Sequence, residues 1–279
     1  MTPDQLADAF AALGVANTSP MTQGGQKLVF KGTLAGVDVV VKIVPIPSGP
    51  GGQIVLERAH REVELLAAVD SPYVVSVLSE AIEIGEPVDA VAWVEGYLEG
   101  DDLGSHLQTA WADEEVFGLL SDMAQALGAC HQLSVVHRDL SPGNVRRLPS
   151  SKFVLMDPGY AKHLRLAALT GLFQPGTSGF RSPEHVAGGN TTAASDIFSL
   201  GILAYYARSL QFPIDPTGPD HEYDRRLLHT QSDSLAVVAP DADPDLVRIV
   251  DQCLRRQPAR RFLDGGELLD ALTKAGRAR

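Results

Sequence analysis

The stretch VVHRDLSPGNV, residues 135–145, places a carboxylate beside cationic side chains and an amide five positions later. Asp139 follows His137 and Arg138, and Asn144 comes directly after a Pro-Gly pair. A carboxylate can accept a proton from a reacting group, and carboxylate and amide oxygens are ligands that Mg²⁺ prefers. The segment therefore carries residue types suited to proton transfer beside a hard cation.

Three charged residues elsewhere in the chain are further candidates for a functional role. Lys42 ends a β-rich run, Glu62 lies within a helical pattern, and Asp157 precedes Pro158 and Gly159. Each of them alone has an ordinary explanation: a strand lysine with its stem on apolar surface, a solvent-facing helix charge and a turn. The order in which all these residues follow one another is what points to a function.

The elements that must position these residues begin with a β-rich amino-terminal part. Residues 4–14 have the apolar spacing of a short amphipathic helix, which we expect to pack on the domain. Two β-rich runs between residues 20 and 44 are separated by Ala35-Gly36 and predict a hairpin. A helical pattern and two strand-like pieces follow at 53–69, 73–84 and 88–95.

After Gly100 the chain becomes mostly helical. Asp113 is expected to cap a helix that begins at residue 114, and the largely apolar residues 195–210 predict a central helix. Asp243-Pro244 is a favourable start for another helix, because Asp suits the cap and Pro the first turn. The acidic insert at 212–234 is expected to be a solvated loop.

This order of elements predicts an α+β fold with two lobes and a cleft. A small β-rich lobe with one helix comes first, and a larger, mainly helical lobe follows. The expected division is an N-terminal amphipathic helix and linker at 1–19, an N-lobe at 20–98 and a C-lobe at 99–279.

The composition argues against several classes of function. A formal net charge of −12 over 279 residues argues against general affinity for nucleic acid or anionic membrane, which require a basic surface. The first residues lack the pattern of a secretory signal, and no window reaches the roughly 18 apolar residues of a membrane span. Cys130 and Cys253 lie in apolar-periodic segments and are expected to be buried thiols. The sequence therefore predicts a cytoplasmic protein.

Seven motifs in order resemble those of the eukaryotic-like Ser/Thr protein kinase family, in its bacterial form. HRDLSPGN is followed by DPGYAK, GTSGFRSPE and SDIFSLG; VVVK and REVELLAAVDSPYVV precede it, and CLRRQPARRF comes near the end. The resemblance covers residues 20–271 and implies the bilobal protein kinase-like fold. It also implies an ATP- and Mg²⁺-dependent Ser/Thr protein kinase, with Mn²⁺ as an alternative ion, that acts on protein substrates and on itself.

The resemblance assigns roles to the candidate residues. Asp139 would orient the substrate hydroxyl and accept its proton, Lys42 would hold the α- and β-phosphates, and Glu62 would fix the direction of Lys42. Asn144 and Asp157 would bind the metal ion. The remaining assignments are support of the catalytic loop by Thr177, ribose contact by Asp102, backbone support of His137 and Arg138 by Asp196, and pairing of Arg261 with Glu184.

Two departures from the family pattern concern phosphate binding. In the glycine-rich loop Gly24 is the one family glycine in place, although Gly25 and Lys27 also offer an amide and a cation to phosphate. Ser141 stands where Ser/Thr kinases carry a lysine that touches the γ-phosphate. We expect slower transfer or an altered substrate preference from the missing cation.

Two further departures concern the conformational switch and the hinge. Pro158 replaces the phenylalanine of the usual Asp-Phe-Gly, so the volume and stiffness of this switch differ from the family pattern. The hinge segment WVEGYLEGDD does not align uniquely, and either Val94 or Glu95 lines the back of the nucleotide pocket.

Regulation and assembly are further expectations. A phosphate in the segment between Asp157 and Glu184 would engage Arg138, with Thr170 as the first candidate for modification and Ser178 as the second. The sequence leaves open whether the protein forms a dimer through the N-lobe or the N-terminal helix. No nucleic-acid or membrane partner is expected.

Two other functions stay open at this point. One is a pseudokinase that binds or scaffolds, because Ser141, Pro158 and the altered glycine loop could have removed catalysis. The other is a small-molecule phosphotransferase of the aminoglycoside or choline kinase type, whose catalytic loop DLSPGNV resembles. The pseudokinase is disfavoured because the chain retains Lys42, Glu62, Asp139, Asn144 and Asp157 together. The small-molecule phosphotransferase is disfavoured by the GTSGFRSPE and SDIFSLG segments.

Overall fold

The computed structural model describes residues 1–21, 28–49, 51–157 and 178–279, without the side chains of Arg58, Glu62 and Ser178. The described residues divide into two compact units. Apart from those gaps, the first unit contains residues 1–70 and 75–98, and the second contains residues 71–74, 99–157 and 178–279. The predicted site residues are distributed over both units.

The first unit contains an antiparallel five-stranded sheet and two helices. The helices are α1 at Pro3–Ala12 and α2 at Gly52–Ala67. The strands are β1 at Val15–Pro20, β2 at Leu28–Leu34, β3 at Val37–Pro45, β4 at Ile82–Ile84 and β5 at Ala90–Gly96. Their order across the sheet is β1-β2-β3-β5-β4, so β3 lies at its centre.

The hairpin between β2 and β3 is confirmed. Ala35 and Gly36 connect the strands with φ of 50° and 83°, the pair of positive values that a two-residue type I′ turn requires. The resulting register pairs Val29 with Lys42, and Lys42 pairs on its other side with Trp93 of β5. Lys42 is therefore flanked by strands on both sides.

Helix α1 packs on the sheet, as its amphipathic pattern predicts. Thr2 and Gln5 form a capping box at its start. Leu13 at its end belongs to the same buried cluster as Val41 and Ile43 of β3. This helix thus covers one face of the central strand.

The residues after α1 form a strand and not the linker expected from the sequence. Strand β1 pairs antiparallel with β2, with Val15 opposite Leu34. Within β1 only Val15 is buried, so the strand lacks the alternating apolar pattern by which strands are recognised. Its place in the sheet depends on backbone pairing, which the sequence does not display.

The strand-like run at 73–84 is shorter in the structure than predicted. Between these residues, all of which are described, β4 at Ile82–Ile84 is the one regular strand. Val74 and Val77 each form an isolated bridge, to Leu155 and Glu95 respectively. The apolar residues Val74 and Val77 therefore form single bridges, and they do not belong to a continuous β-ladder.

The second unit is mainly helical and has a small antiparallel sheet. The apolar helix predicted to be central is confirmed, since its residues 194–205 are all buried. Within the described ranges, no helix is both long and apolar enough to cross a membrane. The strands are β6 at Asp101–Asp102, β7 at Val145–Arg147 and β8 at Phe153–Leu155. The helices are α3 at Asp113–Gln132, α4 at Pro183–Val186, α5 at Ala193–Ser209, α6 at Asp220–His229, α7 at Leu235–Val238, α8 at Pro244–Cys253 and α9 at Gly265–Lys274.

The predicted cap of α8 is confirmed, whereas Asp113 does not cap α3. The Asp243 side chain accepts a hydrogen bond from the Asp245 N–H at 2.8 Å, and Pro244 is the first helical residue. Helix α3 already includes Asp113, whose carboxylate accepts hydrogen bonds from Arg208 Nε at 2.6 Å and from the Asp243 N–H at 2.9 Å. The Asp113 carboxylate therefore connects α3 with α5 and with the start of α8. It does not cap α3, because these tertiary partners occupy its oxygens.

The acidic insert at 212–234 contains helix α6, so the prediction of a solvated loop is wrong. Tyr223 and Leu227, four positions apart, are its buried residues, and the others are partly or fully exposed. An apolar stripe of two residues is too narrow to stand out against so much charge. Packing on the rest of the unit therefore stabilises a helix that composition does not reveal.

Both cysteines are free and buried, as predicted. Burial raises the pKa of the Cys130 thiol to about 12, with a further contribution from the charge of Asp196. Burial also raises the pKa of Cys253 to about 12, against the opposing charge of Arg261. Both thiols are therefore protonated at neutral pH and act as small apolar side chains.

Candidate active site

A buried carboxylate at the start of α5 holds the backbone of the HRD segment. Asp196 Oδ2 accepts a hydrogen bond from the His137 N–H at 2.7 Å, and Oδ1 accepts one from the Arg138 N–H at 2.8 Å. These two charge-assisted bonds fix the peptide around Arg138, whose φ is 68°. The left-handed conformation is unfavourable for such a residue, and it redirects the chain immediately before Asp139.

His137 is fully buried and connects two segments of the candidate site. Its Nδ1 accepts a hydrogen bond from the Asp139 N–H at 3.2 Å. The proton of the neutral ring therefore belongs on Nε2, which donates to the Met156 carbonyl at 3.0 Å. Because Met156 directly precedes Asp157, this ring joins the chain at Asp139 to the chain at Asp157.

The Asn144 amide closes the loop from the other side. Its Nδ2 donates to the Asp139 carbonyl at 2.7 Å, and its backbone carbonyl accepts a hydrogen bond from the Met156 N–H at 2.9 Å. With Nδ2 engaged, Oδ1 is the side-chain atom suited to a cation. Asp157 adds carboxylate oxygens and has a φ of 50°. This hard-oxygen donor set fits a magnesium ion.

Strands β7 and β8 position Asn144 and Asp157 in the second unit. Val145 and Leu155 are paired in the ladder, and both are fully buried. Asn144 immediately precedes β7 and Asp157 follows β8, so an antiparallel pair places them at the same end of the ladder. The Phe153 N–H donates to the Asp122 carboxylate at 2.8 Å, which anchors β8 to α3.

His131 also supports this arrangement, although the sequence pattern did not single it out. Its Nε2 lies 3.0 Å from Asp196 Oδ2, and its Nδ1 accepts a hydrogen bond from the Gly265 N–H at 3.2 Å. The bond from Gly265 places the proton on Nε2, which then donates to Asp196. The available signal was a histidine in the apolar face of α3, and this signal does not identify a partner.

Ser141 and Asp102 make local contacts in the second unit. Ser141 is buried, and its carbonyl accepts a hydrogen bond from the Asn144 N–H at 3.0 Å in a short 3-10 turn. Asp102 Oδ1 accepts a hydrogen bond from the Ser105 N–H at 3.3 Å and caps the 3-10 helix that follows β6. Both residues therefore take part in hydrogen bonds that stabilise short 3-10 turns.

Glu184 and Arg261 form a bidentate ion pair. Arg261 Nη1 and Nη2 donate to the two carboxylate oxygens at 2.7 and 2.9 Å, and the Ser195 hydroxyl donates to Oε1 at 2.6 Å. Burial raises the pKa of the Glu184 carboxyl, but the hydrogen bonds and charge of Arg261, with the bond from Ser195, outweigh it and hold this pKa below its usual value. The pair ties α4 to the segment after α8.

In the first unit Lys42 binds a carboxylate that its motif did not assign to it. Its Nζ lies 2.6 Å from Glu95 Oε2, and both side chains are less than a tenth exposed. The Trp93 indole N–H donates to the other oxygen, Oε1, at 2.8 Å. Of the two hinge candidates, Glu95 shares the face of Lys42, whereas Val94 belongs to the cluster beneath α1.

Part of the predicted site lies within the described residues: the second unit brings Asp139, Asn144 and Asp157 into one hydrogen-bonded frame, and the first unit holds Lys42. Several other predicted site residues lie outside the described residues. The side chain of Glu62 is outside what the structure describes, although its backbone belongs to α2. The other predicted residues or side chains that are not described are Gly24, Gly25, Lys27, Pro158, Thr170, Thr177 and the side chain of Ser178.

Comparison with protein families gives a match to the protein kinase domain over residues 18–264. Serine/threonine-protein kinase pkn2 of Myxococcus xanthus is 28% identical over 271 residues, which cover 92% of this chain and 32% of that protein. Serine/threonine-protein kinase PknA of Mycobacterium tuberculosis is 29% identical over 230 residues, 80% of this chain and 52% of that protein. The chain thus spans about a third to a half of the length of these relatives.

Solved structures with a similar fold include the PknI kinase domain of Mycobacterium tuberculosis. A point mutant of that domain aligns with a TM-score of 0.68 at 21% identity, over 95% of this chain and 98% of that one. A second structure of the same domain also gives 0.68, at 22% identity. These matches confirm the predicted α+β, kinase-like fold.

Proposed function

The chain belongs to the protein kinase family, and we propose that it transfers the γ-phosphoryl group of ATP to serine or threonine hydroxyls of proteins, including its own. The relatives pkn2 and PknA are named serine/threonine-protein kinases. The observation that carries the proposal is the hydrogen-bonded frame that holds Asp139, Asn144 and Asp157 in the second unit.

Asp139 is proposed as the residue that orients the substrate hydroxyl and accepts its proton. Its backbone is held on both sides, by the His137 ring at its N–H and by the Asn144 amide at its carbonyl. A base that is already fixed in place loses little entropy when the substrate binds. General base catalysis of this kind contributes roughly 10²- to 10⁴-fold to the rate.

Asn144 and Asp157 are proposed as the ligands of a magnesium ion, with manganese as the alternative. When bound, the ion would neutralise negative charge on the phosphates of ATP. The chain itself supplies hard oxygen donors, and the Asn144 Nδ2 bond to Asp139 leaves the amide oxygen for this purpose. The same bond couples the position of the metal ligand to that of the base.

Lys42 is proposed to hold the α- and β-phosphates, and Glu62 to help fix its direction. ATP brings about four negative charges to a chain whose net charge is already −12, so local cations must offset the repulsion. Further contacts to the nucleotide are proposed for Gly24, Gly25 and Lys27 at the phosphates and for Asp102 at the ribose.

A second group of residues is proposed to support the catalytic loop and its regulation. Asp196 would keep His137 and Arg138 in place, and its contacts to both backbone N–H groups support this role. Thr177 would act beside the substrate, and Glu184 and Arg261 would hold the segment that binds it. The proposed phosphorylation sites are Thr170 and Ser178.

The remaining proposals concern the division of the chain and its setting. The functional lobes are taken as 20–98 and 99–279, after the N-terminal segment 1–19. The protein is proposed to act in the cytoplasm on protein substrates, and the N-lobe or α1 is the surface proposed for any dimer.

Transfer of labelled phosphate from ATP tests this function. The wild type, Asp139→Ala and the control Asp220→Ala, which removes an exposed carboxylate on α6, are incubated with Mg²⁺ and protein substrates. We expect labelled protein with the wild type and the control, and at least a 10²-fold loss with Asp139→Ala. Undiminished transfer by Asp139→Ala, transfer to small molecules alone, or nucleotide binding without transfer would each contradict the proposal.

A further inference from the structure

Glu95 is a buried carboxylate in an otherwise apolar strand. It is 3% exposed, and Val91, Ala92 and Val94 of the same strand are fully buried. A buried carboxylate is costly unless it is both paired and hydrogen-bonded. Both oxygens of Glu95 meet this requirement, since Lys42 Nζ lies 2.6 Å from one and the Trp93 indole N–H lies 2.8 Å from the other.

The sheet itself holds this group of three residues together. Lys42 and Trp93 are direct partners across the β3–β5 ladder, and Glu95 follows Trp93 by two positions on the same face. The backbone of Glu95 also forms a bridge with Val77 on its other side. The carboxylate is therefore fixed by its strand, its indole donor and its bridge, so it can fix the direction of the Lys42 ammonium in turn.

We propose that Glu95, oriented by Trp93, is a positioning residue that directs the Lys42 ammonium toward the phosphates of ATP. This rests on the proposed function, in which Lys42 binds those phosphates. The motif pattern assigns such a role to Glu62 of α2 alone. The structure assigns part of it to a carboxylate on β5, an interior strand of the sheet.

The kinetic consequence follows from where Lys42 acts. A lysine on the α- and β-phosphates binds the nucleotide and also stabilises the negative charge that grows on the β-phosphate oxygens as the γ-phosphoryl group leaves. Loss of its orientation therefore weakens nucleotide binding and lowers kcat/KM for ATP. Calorimetry separates this effect from general damage to the fold, which would lower the number of binding sites and leave the dissociation constant of the folded fraction unchanged.

The first test is Glu95→Gln, which keeps the shape of the side chain and an acceptor for Trp93 but removes the charge. We expect kcat/KM for ATP to fall about tenfold. The dissociation constant of a non-hydrolysable ATP analogue, measured by calorimetry, should rise while the number of binding sites stays the same. An unchanged kcat/KM overturns the inference, and so does a lower dissociation constant, because then Glu95 competes with the phosphates.

Trp93→Phe provides a second, independent test. It keeps an aromatic ring in the core but removes the donor to Glu95 Oε1. We expect kcat/KM for ATP to fall less than in Glu95→Gln, about threefold, and the double variant to be no worse than Glu95→Gln, because Trp93 acts through Glu95. Fully additive effects overturn this order of action. If Glu95→Gln does not fold, Trp93→Phe decides by itself.

The matched control is Glu83→Gln on the neighbouring strand β4. Glu83 is half-exposed and pairs with His60 at 3.1 Å, so its loss should leave both constants unchanged. Failure of this inference is distinguishable from failure of the proposed function. If Asp139→Ala abolishes transfer but Glu95→Gln changes nothing, the function stands and the inference fails; if Asp139→Ala transfers normally, analogue binding still reports on Glu95.

Discussion

His131 donates a hydrogen bond to Oδ2 of Asp196 across 3.0 Å, although the two residues are 65 positions apart. The same oxygen accepts the His137 N–H at 2.7 Å, and the other nitrogen of His131 accepts the Gly265 N–H. Helices α3, α5 and α9 therefore converge on the carboxylate that holds the HRD backbone. The orientation of this loop depends on the packing of all three.

Replacing His131 by Phe should affect the chemical step more than nucleotide binding. The ring volume is kept, but the bond to Asp196 and the acceptor for Gly265 are lost, at a cost of about 1–3 kcal/mol in stability. A small displacement of the loop should lower kcat about tenfold with little change in KM for ATP. Steady-state kinetics measure both. An unchanged kcat, equal to that of a control variant at the exposed His229, would refute this role.

Ser141→Lys should raise the rate of phosphoryl transfer. Ser141 follows Asp139 by two positions and is buried, so a longer side chain must extend out of the loop to reach a phosphate. A charge-assisted contact with the transferring group should increase kcat severalfold. The matched variant is Ser141→Met, which adds length without charge. Equal rates for the two variants would show that a missing cation does not limit the wild type.

The Glu184–Arg261 pair should make stability depend on pH in the acid range. The pKa of Glu184 is held below its usual 4.5, so the pair stabilises the fold above that pH and its contribution is lost as pH falls through the lowered value. Glu184→Gln breaks a buried pair and should cost about 3–5 kcal/mol at neutral pH. Melting temperatures between about pH 3 and pH 7 test this. The difference between wild type and variant should shrink below pH 4.5; a constant difference would exclude the linkage.

Gly265→Ala should destabilise the second unit. A Cβ at this position would come closer than 3.0 Å to backbone atoms of Ala124 and Gly128 on α3, which cannot move as a flexible side chain can. Separation of α9 from α3 should cost about 1–3 kcal/mol, measured by urea unfolding. Gly51→Ala is the control, because nothing lies within 4 Å of its Cβ position. Equal unfolding free energies for the two variants would be the contrary result.

Local chemistry explains which elements could be predicted. The Ala35-Gly36 turn and the Asp243-Pro244 helix start depend on the preferences of adjacent residues, and both are present as expected. Helix α6 and strand β1 escaped prediction for the opposite reason. Their residues are mostly polar, and each element is stable only because a neighbouring element pairs with it or covers its few apolar side chains.

The residues proposed for the catalytic loop could be found in the chain directly, because Asp139 and Asn144 are separated by a short, fixed spacing. The order of the motifs was enough to predict the kinase fold. Folding in three dimensions selected the carboxylate that Lys42 meets in β5 and the one that His131 meets in α5. The physical reason is that these partners are distant along the chain, by 65 positions for His131 and Asp196. Strand register and helix packing determine which residues become partners, and neither can be predicted from a short stretch of sequence.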